Sequence, residues 1–406
     1  MKTFTKVILV LSVIFSNSVF AQWVPTNFSS GSATSFAATN SNIYALPGTT
    51  AGFFRSTDYG MNWIQLTFSA TIIKSYNNDI YASTYMMGGY GGGLYRSTNE
   101  GVNWSLIGFN NHSINAVEVT STNILVNTDT GFYRSSNIGA SWTKIALIDN
   151  TISSIASSGL NIYVGGKGLV YRSTNNGVNW TSFNNGLPTN IRFNTMVISG
   201  SNIFICGLDS TASANGGVFK STDNGQNWIN VGLSDKNVNA LFTSGYNLFA
   251  GTKLGGVYLS TNAGVTWLQK NQGLTNIWIT SIFVFGDYIL AGCWEGTPGV
   301  WRRFLLDIIG IQKISTEIPD KYSLCQNYPD PFNPSTKIKY QITKNSKVSL
   351  KVFDILGHEI ANLVNDTQSP GTYEVNWNAG NYSSGIYFYK LQAGNFSDTK
   401  RMLLVK

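Results

Sequence analysis

The chain repeats one arrangement of apolar and polar positions about every 40 residues, from near its N-terminus to Phe304. Each repeat contains two short apolar runs separated by a loop. The first run reads NIYAL from Asn42 and NIYVG from Asn161, and the second reads GFFRS or GLYRS. Short runs with regular turn punctuation are typical of β-strands. The paired runs occur seven times, which predicts an all-β fold built from seven copies of one unit.

A polar segment follows six of the seven pairs and has the frame Ser-x-Asp/Asn-x-Gly-x-x-Trp. We call these segments the boxes. An Asp or Asn side chain can bond to nearby backbone and glycine accepts a positive φ, so each box predicts a tight turn. Asn replaces Asp in four of the six boxes, so the charge is dispensable and we interpret these positions as structural, not catalytic or metal-binding. The Asp or Asn positions are Asp58, Asn99, Asn137, Asn175, Asp223 and Asn262.

The boxes resemble the Asp-box, or bacterial-neuraminidase, repeat of sialidase-like β-propellers. The resemblance covers roughly residues 22–304 and implies that each box joins the third and fourth strands of a blade. It does not imply one function, because the family includes sialidases, xyloglucanases and assembly factors. The last strand pair has no box, but the segment around Trp23 resembles the strand that follows a box. We therefore predict seven blades, the last completed by the N-terminal segment, which leaves no exposed sheet edge.

Residues 1–21 have the features of a secretory signal peptide. Lys2 and Lys6 precede a short apolar core, and Ala21 ends a small-residue cleavage site. No other apolar run is long enough to span a membrane. We therefore expect a mature propeller domain over residues 22–306, followed by a linker over residues 307–321.

The C-terminal part, residues 322–406, has alternating strand-like runs that predict a small Ig-like β-sandwich. Its motif YPDPFNP from Tyr328, with FDILG from Phe353, resembles the type A C-terminal sorting domain of type IX secretion. The resemblance implies a Bacteroidetes-type cell, recognition of residues 322–406 by the type IX machinery, and cleavage upstream of Tyr322. It also implies export through the periplasm to the outer-membrane surface or the medium. We expect this domain to be needed for export and dispensable for folding of the propeller.

The composition narrows the possible partners. Charged residues make up 12% of the chain and aromatic residues 13%, with 41 glycines, as in a secreted all-β protein. The net charge of +7 is spread along the chain without a basic stripe, so we expect no nucleic-acid partner. His112 and His358 are isolated, so we expect no metal and no other cofactor. Cys206 and Cys293 lie in predicted strands and should be buried free thiols.

Four arginines precede the box serine at the same position of their repeats: Arg55, Arg96, Arg134 and Arg172. Sialidases bind a carboxylate with an arginine cluster. A position that recurs in every blade is distributed around the ring, so these arginines should not converge on one ligand. We interpret them as structural.

The irregular loops are the places where a ligand could bind, because the repeats account only for the scaffold. Tyr85 and Tyr90 lie in a Gly-rich loop, Asp209 begins a polar loop, and Trp294 stands beside Glu295. An exposed aromatic ring beside a carboxylate suits a sugar. The sequence therefore favours a secreted or cell-surface propeller that binds a glycan or a protein through its loop face.

A glycoside hydrolase of unknown substrate is the alternative. Such an enzyme needs two carboxylates on opposite sides of a pocket. The loops offer one carboxylate each, with no motif that brings two together, so we assign no catalytic residue and favour binding over catalysis. The loop carboxylates are Asp129, Asp149, Asp209, Asp235 and Glu295. A third possibility is an assembly or adhesion scaffold without a small ligand.

Overall fold

The computed structural model describes residues 22–48, 52–84, 92–146, 152–209, 216–245, 247–315, 317–380 and 382–406. The predicted signal peptide lies outside these residues. Almost all regular structure in the described part is β, in four-stranded antiparallel sheets, which confirms the predicted fold class. No helix in that part is long and apolar enough to cross a membrane.

Six sheets are each made of four strands that follow one another in the chain. We number the sheets as blades one to six. Blades one and two contain β2 (Ala33–Ala38), β3 (Ile43–Pro47), β4 (Phe53–Ser56), β5 (Ile64–Leu66), β6 (Ile72–Tyr76), β7 (Asp79–Thr84), β8 (Gly93–Ser97) and β9 (Ser105–Gly108). Blades three and four contain β10 (Ile114–Val119), β11 (Ile124–Thr128), β12 (Gly131–Ser135), β13 (Thr143–Ile145), β14 (Ser154–Ser158), β15 (Asn161–Gly165), β16 (Val170–Ser173) and β17 (Thr181–Ser182). Blades five and six contain β18 (Ile191–Ser199), β19 (Asn202–Asp209), β20 (Gly217–Ser221), β21 (Ile229–Asn230), β22 (Val238–Ser244), β23 (Asn247–Thr252), β24 (Gly256–Ser260) and β25 (Leu268–Gln269).

The seventh sheet of this region joins the two ends of the ring. It contains β26 (Ile279–Phe285), β27 (Tyr288–Cys293), β28 (Val300–Phe304) and the N-terminal strand β1 (Val24–Pro25). Val24 pairs with Arg302 and Pro25 with Trp301, so the predicted completion of the last blade by the N-terminus is confirmed. The first strand of each blade contacts that of the next, and β26 contacts β2, which closes the ring of inner strands.

The strand order defines two faces of the ring. The loops between second and third strands, and the connections between blades, lie on one face, which we call the loop face. The hairpins between first and second strands lie on the other, together with the boxes, and we call this the box face. A ligand on the loop face therefore meets none of the box turns.

The boxes share one set of hydrogen bonds. In each, the serine hydroxyl donates to the Asp or Asn side-chain oxygen and accepts from the glycine N–H, as Ser173 does with Asn175 and Gly177 at 3.0 and 2.8 Å. The same oxygen accepts the backbone N–H four residues on, at 2.8 Å for Asn179. Asp58 and Asp223 use the same oxygen in the same way. The carboxylate charge is therefore not required, and hydrogen bonds from Asn227 and Ser221 lower the pKa of Asp223 to about 2.

The residue before each box glycine also has a positive φ. Its identity varies from box to box, and the least suitable is Ile138, whose φ is 58°. A β-branched side chain is strained in this region of backbone space. The hydrogen bonds of the serine and of the Asp or Asn therefore stabilise the turn and offset the strain of the positive φ. The residues in this position are Tyr59, Glu100, Ile138, Asn176, Asn224 and Ala263.

We expect Ile138→Asn to raise the free energy of unfolding by about 1 kcal/mol, because Asn tolerates positive φ and Ile138 is 55% exposed. Val178→Asn is the matched control, since Val178 is also exposed in a neighbouring box but does not have a positive φ. Urea denaturation of the two variants and of the wild type measures the difference. An equal change in the free energy of unfolding of the two variants, or a decrease in Ile138→Asn, would contradict the strain at Ile138.

The C-terminal part contains two sheets that share one apolar core. One sheet has the order β29-β34-β31-β30 and the other β33-β32-β35-β36. Tyr340 and Tyr373 of the first sheet and Leu350 and Tyr389 of the second are buried in the same cluster. The strands are β29 (Ile311–Ser315), β30 (Ser323–Leu324), β31 (Ser335–Ile342), β32 (Ser346–Phe353), β33 (Glu359–Gln368), β34 (Gly371–Asn378), β35 (Gly385–Ala393) and β36 (Phe396–Leu404).

The segment predicted as a linker differs from that expectation. A short helix, α1 (Leu305–Ile309), follows β28 directly, and β29 then pairs with β34 of the sandwich. Leu305 and Ile308 are buried in the propeller core, whereas Leu306 is buried in the sandwich core. The sequence LLDII gave no strand alternation, but a helix divides its leucines and isoleucines between two cores. Only the stretch from Glu317 to Lys321 remains an exposed connection.

The sandwich lies against the box face. Burial raises the pKa of the Tyr373 phenol, and the charge of Asp287, in the hairpin between β26 and β27, raises it further, whereas a hydrogen bond with Ser369 lowers it. Gly245, in the hairpin between β22 and β23, approaches the backbone of Asn365. These contacts leave the loop face uncovered.

Candidate functional site

Two tryptophans of blade seven form a pair on the loop face. Trp294 follows β27 and Trp278 precedes β26, and their ring centroids are 5.8 Å apart with an interplanar angle of 32°. The Trp294 backbone N–H donates to the Trp278 carbonyl at 2.9 Å, which ties the two loops together. Lys253 Nζ lies 4.8 Å from the centroid of the Trp278 ring. Both rings are half-buried and held in place before any ligand arrives.

The hydrogen bonding of the indole N–H groups distinguishes this pair from the structural tryptophans. Trp23 and all six box tryptophans donate theirs to backbone carbonyls, at 2.6–3.2 Å. Trp278 and Trp294 have no such bond within the described part of the chain. Two aromatic rings with free donors therefore face the solvent on the loop face.

A groove of about 430 Å³ runs beside this pair, between the loops of blades six and seven. We call it the tryptophan groove. Its lining residues are Leu254, Thr275, Asn276, Ile277, Trp278, Gly296, Thr297, Pro298 and Trp301. Leu254 is 73% exposed and Ile277 is also exposed, so apolar surface is open to solvent here. The buried indole nitrogen of Trp301 has no hydrogen-bond partner among the described residues. The polar side chains of Thr275, Asn276 and Thr297 stand beside the apolar ones, so the groove offers both kinds of surface to a ligand.

Glu295 projects from the same loop in a strained conformation. Its φ is 50°, which is uncommon for a residue other than glycine. The Glu295 N–H donates to Ser32 Oγ at 3.1 Å, and its carbonyl accepts from Asn276 Nδ2 at 2.6 Å. Its exposed carboxylate has no ion-pair or hydrogen-bond partner in the described residues. The loop thus holds a free carboxylate next to Trp294, as the sequence suggested.

The structure does not describe the side chains of the other predicted ligand residues. Tyr85 and Tyr90 lie outside the described residues. Asp209 ends β19 on the loop face of blade five, and only its backbone is described. Trp278 and Trp301 were missed because no motif marks either residue: Trp278 directly precedes β26, and Trp301 lies within β28. Their contribution depends on loops from two blades coming together.

The carboxylates considered for hydrolysis are distributed over several blades. Asp129 lies 3.1 Å from His112 Nδ1, and Asp235 lies 2.8 Å from Lys236 Nζ. Asp149 is outside the described residues. No group of three His, Cys, Asp or Glu side chains within the described ranges could hold a metal ion.

The repeated arginines make separate contacts around the box face. Arg55 lies 3.9 Å from Glu100, and Arg96 pairs with Asp79 at 2.5 Å. Arg134 donates to the Asn176 carbonyl at 3.0 Å, and Arg172 donates to Asn161 Oδ1 at 3.1 Å. Each arginine side chain therefore contacts a residue of its own blade or of the next blade.

Two cysteine thiols are inert by burial. Cys206 and Cys293 are buried and free, as predicted. Desolvation raises the pKa of Cys206 and raises that of Cys293 to about 12. Neither thiol is ionised near neutral pH, so neither is a nucleophile.

Comparison with known proteins identifies the C-terminal part. Residues 326–406 match the family described as the secretion system C-terminal sorting domain. No curated protein resembles the chain in sequence. The family match covers the sandwich without β29 and β30, and leaves the propeller to structural comparison.

Solved structures similar to the chain are β-propellers. YCF48 in a structure described as bound to D1 peptide has a TM-score of 0.54 at 13% identity, covering 70% of this chain and 94% of that one. YCF48 from Cyanidioschyzon merolae has a TM-score of 0.51 at 14% identity, covering 70% and 98%. The extracellular domain of BT4673 from B. thetaiotaomicron has a TM-score of 0.54 at 15% identity, covering 79% and 44%. At such identities the similarity shows the fold alone.

The fold and the family match together define what kind of protein this is. The strands of the first part form a β-propeller, and the C-terminal part matches the sorting family of type IX secretion. The sorting domain directs export, with the secreted or cell-surface location that the sequence predicted. This chain is therefore a β-propeller protein with a C-terminal sorting domain of type IX secretion, exported to the cell surface or the medium.

Proposed function

We propose that the exported propeller is a carbohydrate-binding protein whose site is the tryptophan groove with Trp294 and Glu295. The observation that carries the proposal is the pair of half-buried tryptophans with free indole N–H groups on the uncovered loop face. A tryptophan ring can cover the C–H face of a sugar, and the N–H and carboxylate can bond to its hydroxyls. Wide, rigid aromatic surfaces of this kind commonly dominate the free energy of binding.

The groove also suits a sugar in its electrostatics. Lys253 lies over one face of Trp278, and Glu295 follows Trp294 in the chain, so one cation and one anion are near the pair and neither sign of charge dominates. The groove floor includes the unpartnered Trp301 nitrogen, and leaving such a group unbonded costs about 1–3 kcal/mol. A ligand oxygen in the groove would reduce this cost if it reached the nitrogen. A hydroxyl-rich, weakly charged ligand fits these groups better than a strongly ionic one.

A glycoside hydrolase remains the second hypothesis. It needs two carboxylates about 5–9.5 Å apart across the scissile bond. Glu295 supplies one on blade seven, while Asp129 and Asp235 on blades three and five are each bonded to a basic side chain. The described residues thus favour binding over hydrolysis. A peptide is the other possible occupant, since the YCF48 structure of similar fold is described as bound to a peptide.

Screening the mature protein on a glycan array tests the proposal. We expect the wild type to bind a subset of glycans and Trp294→Ala to lose about tenfold or more in affinity for them. Tyr328→Ala is the control, because Tyr328 is also an aromatic residue, is 79% exposed and lies in the sorting domain, outside the proposed site. Unchanged glycan binding by Trp294→Ala would contradict the proposed site. Release of free sugar from a bound glycan would favour the hydrolase instead.

A further inference from the structure

A ring of seven uncharged polar residues surrounds the loop-face mouth of the central channel, and six of the seven line the channel. Five inner strands have a register shift near their start, which leaves one residue of each bulged. Thr71 and Ser153 occupy the same place in the other two blades, where their N–H groups donate to Ser83 and Gly165. We call these residues the mouth ring: Thr34, Thr71, Asn115, Ser153, Asn194, Asn239 and Thr280.

Part of the mouth ring has a structural role. The side chains of Ser153, Asn194, Asn239 and Thr280 donate to carbonyls of the next blade, at 2.6–3.2 Å. These bonds join blades four to seven and then blade seven to blade one. The residues of blades one to three do not make such bonds. Asn115 in particular is exposed and has no side-chain partner in the part of the chain that the structure describes.

The charged residues of the channel lie deeper and are already paired. Lys74 Nζ is 3.3 Å from Glu118, and Ser157 Oγ donates to the other Glu118 oxygen at 3.2 Å. On the opposite side of the channel, Phe36, Phe242 and Phe283 form an aromatic cluster with centroids 5.5–5.9 Å apart. The channel has a volume of about 660 Å³, within the range of ligand pockets. Its mouth therefore offers neutral hydrogen-bonding groups above a paired, partly apolar interior.

The ring geometry places Asn115 across the mouth from the tryptophans. Trp278 stands two residues before Thr280, so it lies near the blade-seven side of the mouth. Blade three, which carries Asn115, is three positions away in a ring of seven and thus on the far side. An extended ligand that runs from Trp278 across the ring axis would reach Asn115 on the far side.

We infer that the mouth ring is a second subsite, which takes the terminal sugars of an uncharged oligosaccharide whose preceding units bind at Trp278 and Trp294. The inference rests on the proposed carbohydrate-binding function. Short chains would occupy only the tryptophans, and longer chains would also bond to Asn115 and its neighbours. Affinity should therefore rise with chain length until the mouth is filled. Negatively charged chains gain no ion pair at the mouth, because no ring residue is a cation.

Titration of the mature full-length chain with cello-, laminari- and malto-oligosaccharides, from dimers to hexamers, tests this subsite. In the series that binds, we expect Asn115→Ala to weaken binding of the hexamer roughly fivefold and to leave the dimer unchanged. Trp294→Ala should weaken every length. Asn179→Ala, at an exposed asparagine of the box face, should leave the affinities for both the dimer and the hexamer unchanged. Oligogalacturonides should bind more weakly than the uncharged series.

The outcomes separate this inference from the proposal on which it rests. A hexamer affinity unchanged in Asn115→Ala, or a dimer weakened as much as the hexamer, would overturn the mouth subsite and leave the tryptophan site intact. Tighter binding of oligogalacturonides would overturn its preference for uncharged chains. If Trp294→Ala binds all lengths like the wild type, the tryptophan site itself is wrong.

Discussion

Replacing Trp23 with alanine should lower the free energy of unfolding by about 3–5 kcal/mol, because the side chain is 1% exposed and fills the closure of the ring. Its indole N–H donates to the Lys270 carbonyl at 2.6 Å, and its backbone N–H donates to Gln272 at 2.8 Å. It shares one apolar cluster with Phe249 of blade six and Ile308 of α1. Removing it therefore opens a cavity where two blades and the helix meet.

Urea denaturation followed by circular dichroism measures this effect. Gln22→Ala is the control, since Gln22 is exposed and stands next to Trp23. Deleting residues 22–27 should cost more than Trp23→Ala, because β28 then becomes an open sheet edge. Wild-type stability in Trp23→Ala would mean that the N-terminal strand does not close the ring in solution.

A chain ending at Ile318 should not yield the stable isolated propeller that the sequence suggested. Such a chain keeps β29 but removes β34, its pairing partner. Ile311 and Leu306 would lose the sandwich core in which they are buried. We expect this truncated chain to aggregate, because an unpaired strand and two large apolar side chains become exposed.

Two single substitutions in the full chain test the same coupling without truncation. Ile311 is 1% exposed and Ile314, on the same strand, is 44% exposed. Ile311→Asp should lower the stability of the sandwich by more than about 3 kcal/mol, since it buries a charge and loses core packing. Ile314→Asp should change it little. Equal effects of the two substitutions would show that β29 does not belong to the sandwich core.

The coupling has a consequence for export. Because β29 completes the sandwich, a reporter fused to residues 304–406 should be exported more efficiently than one fused to residues 326–406. Cleavage within the exposed stretch from Glu317 to Lys321 would leave β29 on the propeller side of the cut. Equal export of the two fusions would contradict a role for β29 in the exported fold.

Much of the fold could be predicted from the sequence because the information is local and repeated. Each box predicts its own turn. The pairing of the N-terminal segment at Trp23 with the last blade follows because the last strand pair has no box and no strand after it. The positive φ before each box glycine could not be predicted, because Ile138 and Glu100 have no preference for it. The serine and Asx hydrogen bonds impose that conformation.

The structure of the segment after Phe304 was harder to predict. Four of the five residues in Leu305–Ile309 are apolar, and their division between two cores depends on the position of the sandwich. The candidate site was predictable only in part for the same reason. Trp294 and Glu295 are neighbours in the chain, whereas Trp278 reaches them from a different loop. Contacts between loops are set by the ring and not by local sequence.

Isothermal titration of the mature chain with the strongest uncharged glycan from the array tests the central claim most directly. Wild type and Tyr328→Ala should bind it with the same affinity and enthalpy. The double variant Trp278→Ala/Trp294→Ala should show no binding heat while retaining the wild-type unfolding transition, because neither indole N–H supports the fold. Wild-type affinity in the folded double variant would show that the loop-face tryptophans are not the site.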